Sequence, residues 1–398
     1  MYRRRKGELH VSQRPMRVVI VTPGAFPIPS GKSSSVEQVV EKTAEKLVKF
    51  MPVYVLGRRT AYQPKSEVRG GCRYIRVPYR GSRSYISAVS QQIAKLKPGI
   101  IQVENRPHFV HILRKRYPRS MISLVLHSKI FISKPYISKK FLRACLAAAD
   151  VVIVNSDYMK QAVQEKAPSA AHKIVTQHLG VDVSKFTSRW SPEGSESRIK
   201  KLQELGYENR KIILYVGRLI PRKGVHHLMK AMKTVIEKEP DAVLILVGGA
   251  FYGSKRLTEY VKSLYREGSK MPQNVKFIPY MSHADIPKWF QLADVVVVPS
   301  GEGEAFGLVN IEAMASGVPV VATNSGGIGE VIKSGTVGYL VDLDKVESDL
   351  PRYLLRLLAD GELRRAMGEQ GIQRTQQLFT WDKAAEQRHD LYKDKLGR

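Results

Sequence analysis

The chain has 398 residues, of which 43% are hydrophobic and 25% charged, and its formal net charge at pH 7 is +29. This length predicts two domains, and no stretch of the sequence approaches the roughly 20 apolar residues of a membrane-spanning helix. Cys72 and Cys145 are the only cysteines, which excludes a zinc site built on cysteines. Low cysteine content also fits a reducing compartment, so we expect a cytoplasmic protein.

The positive charge is concentrated in the first half of the sequence. Residues 1–190 contain 35 Lys and Arg against 10 Asp and Glu, a net charge of +25, whereas residues 191–398 contain 30 against 26 and carry +4. This asymmetry predicts an anionic partner for the first half, either an anionic membrane surface or an acidic polymeric acceptor. A solvated basic surface is the alternative. Nucleic acid is not the expected partner, because no motif that reads nucleic acid is present.

Short runs of valine and isoleucine predict the strands. Such runs, alternating with longer amphipathic segments, are typical of parallel strands covered on both faces by crossover helices. Each half is therefore predicted to be a doubly wound α/β domain, and a ligand is expected between the halves at the carboxyl ends of the strands. The runs are residues 17–22, 53–57, 99–105, 122–127 and 149–156, followed by 211–218, 241–249, 274–280, 293–300 and 318–324.

Composition also predicts where the domains begin and end. Residues 1–15 are a basic arm without the apolar segment of a secretory signal, and residues 16–190 form the first domain. The polar, Pro/Gly/Ser-rich stretch 188–198 has the composition of a linker. Residues 191–379 then form the second domain, and residues 380–398 form a final amphipathic helix.

After the first predicted strand, the sequence contains Gly31-Lys32-Ser33. A P-loop needs a further glycine five residues before Gly31, and Phe26 stands there. Pro27 and Pro29 also remove backbone amides that such a loop would use. The P-loop interpretation is therefore rejected, and the segment is predicted to be a turn between strand and helix that can still meet a phosphate.

Residues 299–332 carry the densest functional pattern. A strand ends, a loop with several glycines follows, and a helix starts, so the first backbone amides of that helix are predicted to bind an anion. Glu304 precedes the helix and Glu312 lies within it, where carboxylates can accept hydrogen bonds from sugar or ribose hydroxyls. Two ordinary surface glutamates are the alternative. The amides in question are those of Phe306, Gly307 and Leu308.

A second strand end carries two cations, Arg218 and Lys223, with glycines on both sides that allow a ligand to approach the backbone. Fixed cations beside helix amides suit a diphosphate, above all one that gains charge as a bond breaks. Two unrelated surface cations in a basic protein are the alternative interpretation.

These segments resemble the retaining glycosyltransferases of family 4, which have the two-Rossmann GT-B fold. "EAFGLVNIE" (304–312) is similar to the family's Glu-x7-Glu motif, and "VGRLIPRKG" (216–224) is similar to its Arg-x4-Lys element. "HLGVDVSKF" (178–186) is similar to the Gly-Val-Asp…Phe segment that precedes the interdomain linker. The resemblance covers nearly the whole chain. Residues 103–110, 155–163 and 180–194 also resemble the spore-coat-associated glycosyltransferases of endospore-forming bacteria.

The resemblance implies a central cleft between two Rossmann-like domains and a C-terminal helix that crosses back to the first domain. It implies that Glu304 lies by the donor sugar and that Glu312 binds the nucleotide ribose. It further implies that His127, after a strand of the first domain, contacts the sugar near the reaction centre; a capping histidine is the alternative. It also implies that Arg218 and Lys223 stabilise the leaving diphosphate. Gly217 and the loop of small residues at Gly31 are the other implied contacts of the donor.

The implied activity is transfer of a sugar, with retention, from a nucleotide-diphosphate sugar to an acceptor that the sequence does not identify. No cofactor and no metal are expected. Asp342 and Asp344 form the sequence Asp-x-Asp, which is the metal motif of another glycosyltransferase fold. They follow a predicted strand far from the expected cleft, so a turn after that strand is the preferred interpretation.

The alternative functions are a catalytically silent spore-coat protein with the same fold, a nucleic-acid binder, and a sugar-nucleotide epimerase. The protein is expected in the cytoplasm, at the membrane surface or with the spore coat.

Overall fold

The structure of the chain is a computed structural model that describes residues 16–29, 35–251 and 256–397. The basic arm at residues 1–15 and the predicted phosphate contact Gly31 lie outside the described residues. Two sheets organise the remainder, and helices cover both faces of each sheet. The prediction of two doubly wound α/β domains is therefore confirmed.

The first sheet has eight strands in the order β3-β4-β2-β1-β5-β6-β7-β8, and all neighbours are parallel except the β3–β4 pair. In register, Val18 of β1 lies between Val53 of β2 and Ile100 of β5. Every residue of β1, β5, β6 and β7 is buried. The strands are β1 (Val18–Val21), β2 (Val53–Arg58), β3 (Ser66–Arg69), β4 (Cys72–Val77), β5 (Ile100–Glu104), β6 (Met121–Leu126), β7 (Val151–Val154) and β8 (Ile174–Thr176).

Two apolar cores flank this sheet, because successive residues of a strand point to opposite faces. One core receives the buried sides of four helices, through residues such as Tyr85, Phe109 and Leu142. The other core is covered by the first helix, through Val40 and Leu47. The helices are α1 (Ser35–Leu47), α2 (Ser82–Leu96), α3 (Pro107–Arg116), α4 (Lys139–Ala147) and α5 (Asp157–Lys166).

The second sheet has six parallel strands in the order β11-β10-β9-β12-β13-β14. Its strands are β9 (Lys211–Val216), β10 (Ala242–Val247), β11 (Val275–Ile278), β12 (Val295–Val298), β13 (Val320–Thr323) and β14 (Gly338–Val341). Its helices are α6 (Pro192–Leu205), α7 (Val225–Lys238), α8 (Glu259–Gly268), α9 (Ile286–Leu292), α10 (Leu308–Ala315), α11 (Ile328–Val331), α12 (Val346–Ala359) and α13 (Gly361–Leu378).

The final helix, α14 (Trp381–Lys395), returns to the first domain, as predicted. It packs against α1, where Asp382 forms salt bridges of 2.7 Å with both Lys46 and Lys49. Tyr392 is fully buried in the same core as β1 and α1. The end of the described chain therefore completes the hydrophobic core of the domain with which it begins.

The stretch predicted as a linker is folded instead. Helix α6 begins at Pro192, and the Ser191 hydroxyl accepts a hydrogen bond of 3.1 Å from the Gly194 amide. Pro192 suits the first turn of a helix, because amides there have no intrahelical partner. Arg189 is buried and donates to the Asp294 carboxylate over 2.9 Å. The polar composition of residues 188–198 thus reflects a helix cap and an ion pair.

Glu330 joins the two domains. From α11 of the second domain, its carboxylate accepts hydrogen bonds of 2.8 and 2.9 Å from the backbone amides of Asp157 and Tyr158, at the start of α5. His178, just after β8, lies 3.2 Å from the same carboxylate. A carboxylate at a helix amino terminus is stabilised by the free amides and by the helix dipole. This contact links α11 of the second domain to α5 of the first.

Within the described ranges, no helix has the length and hydrophobicity needed to cross a membrane. Asp342 and Asp344 are exposed and follow directly after β14, so a turn after a strand accounts for this DxD. No cluster of three or more His, Cys, Asp or Glu side chains suited to a metal ion occurs among residues 16–29, 35–251 and 256–397.

Candidate active site

A cavity of about 770 Å³ lies between the domains, at the carboxyl ends of both sets of strands. In open α/β sheets this is where ligands bind, because the loops that follow the strands converge there. Nine of the ten residues predicted from the sequence to bind or act on the donor line this cavity; the tenth, Gly31, is not described. They are His127, Gly217, Arg218, Lys223, Glu304, Phe306, Gly307, Leu308 and Glu312.

Two loops of the second domain meet at the floor of the cavity. The Gly301 amide donates to the Arg222 carbonyl oxygen over 2.8 Å. Gly224 has a φ of 68°, and a Cβ there would lie 1.7 Å from the Pro299 carbonyl oxygen. Only glycine fits this close approach. The loop after β9 is thereby held against the loop after β12, which explains how residues far apart in sequence share one site.

Lys223 and Glu304 form an ion pair across these two loops. The Lys223 Nζ lies 2.5 Å from the Glu304 Oε2, and the two side chains are 21% and 16% exposed. Burial alone would raise the pKa of Glu304, but the charge and hydrogen bond of Lys223, with the charge of Arg222, hold it below its usual value. Glu304 is therefore ionised at neutral pH. The pair supplies both a cation and a hydrogen-bond acceptor to the cavity.

Helix α10 presents its amino terminus to the cavity. Gly307 precedes the helix with a φ of 85°, and no side chain caps the helix there. The first amides of a helix have no intrahelical partner, so those of Leu308 and its neighbours are available to an anion. One turn later, burial raises the pKa of Glu312 to about 7. Among the described residues, no salt bridge uses the Glu312 carboxylate.

The structure gives Phe306 a second role that the sequence did not indicate. Its ring is buried and stacks on the His178 ring with a centroid distance of 5.7 Å. The ring also meets Phe379 edge-on, with centroids 5.9 Å apart. Phe379 immediately precedes the residue that caps α14. The side chain of Phe306 therefore packs at the domain junction, and its backbone remains the part suited to a ligand.

Arg218 follows β9, and its backbone carbonyl oxygen accepts a hydrogen bond of 2.8 Å from the Tyr215 hydroxyl. A Cβ on the preceding Gly217 would lie 2.9 Å from that hydroxyl oxygen. Tyr215 thus fixes the course of the backbone that carries Arg218 into the lining of the cavity. Arg218 and Lys223 are brought to the same cavity, as the sequence predicted.

His127 lies on the first-domain side, just after β6. Its backbone amide donates to the Asn105 Oδ1 over 2.8 Å, and its Nε2 lies 2.8 Å from the Glu104 Oε2. Asn105 has a φ of 51°, a conformation that asparagine tolerates better than most residues. The His127 Nδ1 has no hydrogen-bond partner among the described residues. The His127 Nε2 is therefore held by a buried carboxylate, whereas Nδ1 is without a partner among the described residues.

Sequence reasoning missed Glu104, Asn105 and Arg106, which follow one another at the end of β5. Asn105 and Arg106 line the cavity, and the Arg106 guanidinium lies 4.7 Å from the centroid of the Phe131 ring. Burial lowers the pKa of Arg106. One signal was available: Gln102 and Glu104 alternate within an otherwise apolar strand. Polar side chains buried in such a strand need partners, and here the partners form the site.

The fold and this site define a glycosyltransferase. Residues 36–185 match the family described as Glycosyltransferase Family 4, and residues 197–374 match the family described as Glycosyl transferases group 1. Together the two matches span most of the chain. The chain belongs to the family 4 glycosyltransferases.

Among its relatives is Spore coat protein SA of Bacillus subtilis, which is 29% identical over 95% of this chain and 99% of its own length. The crystal structure of Anabaena HepE in complex with UDP matches with a TM-score of 0.78 and 22% identity, over 95% of this chain and 100% of that one. Sucrose-phosphate synthase from Thermosynechococcus elongatus matches with a TM-score of 0.79 and 24% identity, over 96% and 99%. These likenesses confirm the GT-B fold and the resemblance to a spore-coat protein.

Proposed function

We propose that this glycosyltransferase takes its sugar from a nucleotide-diphosphate sugar bound between the two domains. The observation that carries the proposal is the ion pair of Lys223 and Glu304, which lies beside the uncapped start of α10 in a cavity at the strand ends. A cation, free helix amides and a carboxylate match the diphosphate and the hydroxyl groups of such a donor. The UDP bound to Anabaena HepE supports the same donor class.

In this proposal the second domain holds the nucleotide and the first domain admits the acceptor. Arg218, Lys223 and the amides of α10 neutralise the diphosphate as the bond to the sugar breaks. Glu304 accepts hydrogen bonds from the donor sugar, and Glu312 accepts one from the ribose. His127 contacts the sugar from the opposite wall. Neutralisation by these fixed charges makes a metal ion unnecessary for departure of the leaving group.

We further propose that transfer retains the configuration at the sugar. No Asp or Glu is assigned as a nucleophile for a double displacement. The acceptor hydroxyl then attacks on the face from which the diphosphate departs, and the departing phosphate oxygen takes the acceptor proton. A product with inverted configuration, measured by NMR of the anomeric proton, would contradict this part of the proposal.

A thermal-shift screen of the full chain against nucleotide sugars tests the donor assignment. One nucleotide series should raise the melting temperature, because a ligand that binds only the folded state stabilises it. The matched variant Glu312→Gln should show a smaller rise with the same compounds. Donor hydrolysis then separates an enzyme from a catalytically silent protein of the same fold. Stabilisation without hydrolysis or transfer would favour the silent protein, and the absence of any stabilisation would refute the donor assignment.

We propose an anionic membrane surface as the second partner, at the start of α4. Lys139, Lys140, Phe141 and Arg143 are exposed there, with Phe141 41% exposed. Basic residues near an anionic surface contribute about 1 kcal/mol each, so several together suffice for reversible binding. An acidic polymeric acceptor is the alternative partner, because it would bind the same basic side chains. In that case the spore coat would be one location for the protein.

Arg114, a basic residue in the last turn of α3, does not contribute to such a surface. Arg114 donates to the carbonyl oxygens of Ala148, Pro118 and Ser120 over 2.9–3.1 Å and pairs with the Asp150 carboxylate. Its guanidinium therefore stabilises the fold. Lys115 and Arg116 at the same helix end are exposed and remain candidates.

Co-sedimentation with phosphatidylserine vesicles tests the membrane proposal. Binding should be present at low salt and lost near 1 M salt, where the Debye length falls to about 3 Å. The variant Lys139→Gln/Lys140→Gln should bind less than the matched control Lys201→Gln/Lys230→Gln in the second domain. Equal binding to neutral and anionic vesicles would refute it. Binding only to an acidic polymer would assign the surface to the acceptor.

A further inference from the structure

A line of buried polar side chains connects α14 to His127. Gln102 and Glu104 belong to β5 and point to the same face of the sheet, the face that α14 covers. Both are almost completely buried, with exposed fractions of 2% and 1%. A buried carboxylate is costly unless it is paired and hydrogen-bonded. Burial of Gln102 and Glu104 therefore depends on the groups that hydrogen-bond to them.

The hydrogen bonds follow one another without a gap. The Tyr392 hydroxyl and the Arg388 Nη1, both on α14, donate to the Gln102 Oε1 over 2.6 and 3.0 Å. The Gln102 Nε2 donates to the Glu104 Oε1 over 2.5 Å. The other carboxylate oxygen, Oε2, lies 2.8 Å from the His127 Nε2. Four hydrogen bonds, two of them in parallel onto Gln102, thus join α14 to His127, which lines the active-site cavity.

The chemistry of each group determines which atom donates and which accepts in these hydrogen bonds. Arginine can only donate, so Arg388 requires an oxygen from Gln102 and turns the amide nitrogen of Gln102 towards Glu104. An ionised carboxylate can only accept, so Glu104 requires a proton on the His127 Nε2. In the neutral imidazole the other nitrogen, Nδ1, then carries a lone pair. A histidine held in this way can accept a hydrogen bond at Nδ1, and a sugar hydroxyl can donate one.

Arg388 is itself held firmly. Its Nε donates to the Gln177 Oε1 over 2.6 Å, and the Gln177 Nε2 donates to the Gln387 carbonyl oxygen over 3.0 Å. Arg388 is 7% exposed, and no salt bridge joins it to a carboxylate in the part of the chain that the structure describes. The Gln102 amide therefore bridges the Arg388 guanidinium and the Glu104 carboxylate.

We propose that α14 sets the tautomer and orientation of His127 through Gln102 and Glu104. Arg388, Tyr392, Gln102 and Glu104 are positioning residues, since none of them is assigned a contact with the donor. The inference rests on the proposed role of His127 in sugar transfer. In addition to stabilising the first domain, α14 would then affect catalysis, because it orients His127 through side chains on the face of the sheet that it covers.

The first test uses nitrogen NMR of the full chain labelled with ¹⁵N-histidine, where the His127 signals are assigned by their loss in His127→Gln. In the wild type, the ring should carry its proton at Nε2. Gln102→Met and Arg388→Met should populate both tautomers, and Arg388→Lys should restore the wild-type pattern in part, because lysine still donates. The matched control Asp382→Asn weakens the docking of α14 on α1 and should leave the His127 signals unchanged. Unchanged signals in Gln102→Met and Arg388→Met would overturn the inference.

The second test separates positioning from folding and from donor binding. In Tyr392→Phe and Gln102→Met, kcat for the donor found in the screen should fall by about tenfold to a hundredfold, as expected when a catalytic group loses its orientation. Affinity for UDP, measured by calorimetry, should stay within about twofold of wild type, because the proposed nucleotide site lies in the other domain. A matched loss of UDP affinity would indicate a structural role and contradict the inference. If His127→Gln itself retains full activity, the proposed role of His127 fails, whereas the NMR result still decides whether α14 controls its ring.

Discussion

Replacement of Lys223 by methionine is the sharpest perturbation of the proposed donor site, because it removes a charge while keeping most of the apolar stem. Loss of one preorganised group that stabilises developing charge costs about a hundredfold to a thousandfold in kcat. Lys223→Met should therefore lose activity on that scale. Affinity for the uncharged nucleoside uridine should change little, because uridine lacks the diphosphate.

The same substitution has a cost in stability that can be worked out from the ion pair. With side chains 21% and 16% exposed, Lys223 and Glu304 lie between a surface pair and a fully buried pair. Loss of a hydrogen bond to a charged group then predicts a decrease of about 1.5–3 kcal/mol in the free energy of unfolding at pH 7. The control Lys201→Met removes an exposed pair with Glu204 and should cost less than about 1 kcal/mol.

The pH dependence follows from the pKa of Glu304, which the wild-type site holds below its usual value. A depressed pKa stabilises the fold above the unfolded carboxyl pKa, near about 4.3, and this contribution is lost as the pH falls through the folded pKa. In Lys223→Met, burial is no longer offset by the lysine and raises the pKa. The stability difference between wild type and variant should therefore be largest at pH 7 and should shrink towards pH 4.5.

Urea unfolding at several pH values, with Lys223→Met/Glu304→Gln as the double variant, completes the experiment. The double variant should regain part of the stability lost in Lys223→Met, because no buried unpaired carboxylate remains. It should not regain activity. A double variant no more stable than Lys223→Met would refute the coupling, and wild-type turnover in Lys223→Met would refute the diphosphate assignment.

Further results are expected at four other residues. Arg218→Ala should lower kcat by orders of magnitude and weaken UDP binding more than uridine binding, in the same assays; equal losses for both ligands would contradict a diphosphate contact. Glu304→Ala should depress sugar transfer while sparing affinity for UDP, measured by calorimetry. Because the pKa of Glu312 is raised to about 7 and a ribose hydroxyl favours the ionised carboxylate, UDP binding near pH 7 should release a proton and should weaken from pH 8 to pH 6. Glu312→Gln should bind UDP more weakly, by on the order of 1.5–3 kcal/mol, without this pH dependence. Glu330→Ala should accelerate hydrogen exchange of the first two amides of α5, because those amides lose their acceptor; unchanged exchange would show that the contact does not hold the domains together.

The strands that the sequence predicted well are those buried on both faces. In β1 and β12 every residue is apolar and buried, so a continuous apolar run identifies them. The β3–β4 hairpin was missed, because β3 lies at the sheet edge and is mostly exposed, and edge strands need no apolar run. The stretch 188–198, predicted as a linker, lies mostly between the two family matches but contains the start of α6. Composition does not distinguish a polar loop from a capped helix start.

The sequence predicted four cavity-lining residues of the second domain, because they belong to two local segments of fixed spacing. These residues are Arg218, Lys223, Glu304 and Glu312. The support of His127 could not be predicted in this way. Gln102 and Arg388 are 286 positions apart, and only the return of α14 to the first sheet brings them together. Local patterns contain no information on such a contact until the topology is known.

The return of α14 also affects how the protein is made. Tyr392 and Ala385 are buried in the core that contains β1, so the first domain lacks part of its interior until α14 has been synthesised. The ribosome adds about 5–20 residues per second, and about 200 residues separate β8 from α14, which corresponds to a delay of roughly 10–40 s. During that interval the apolar face of the first sheet beside α1 is exposed, although its eight strands have all been made. Chaperones that recognise apolar surfaces should therefore engage nascent chains of this length, and release should follow synthesis of the last helix.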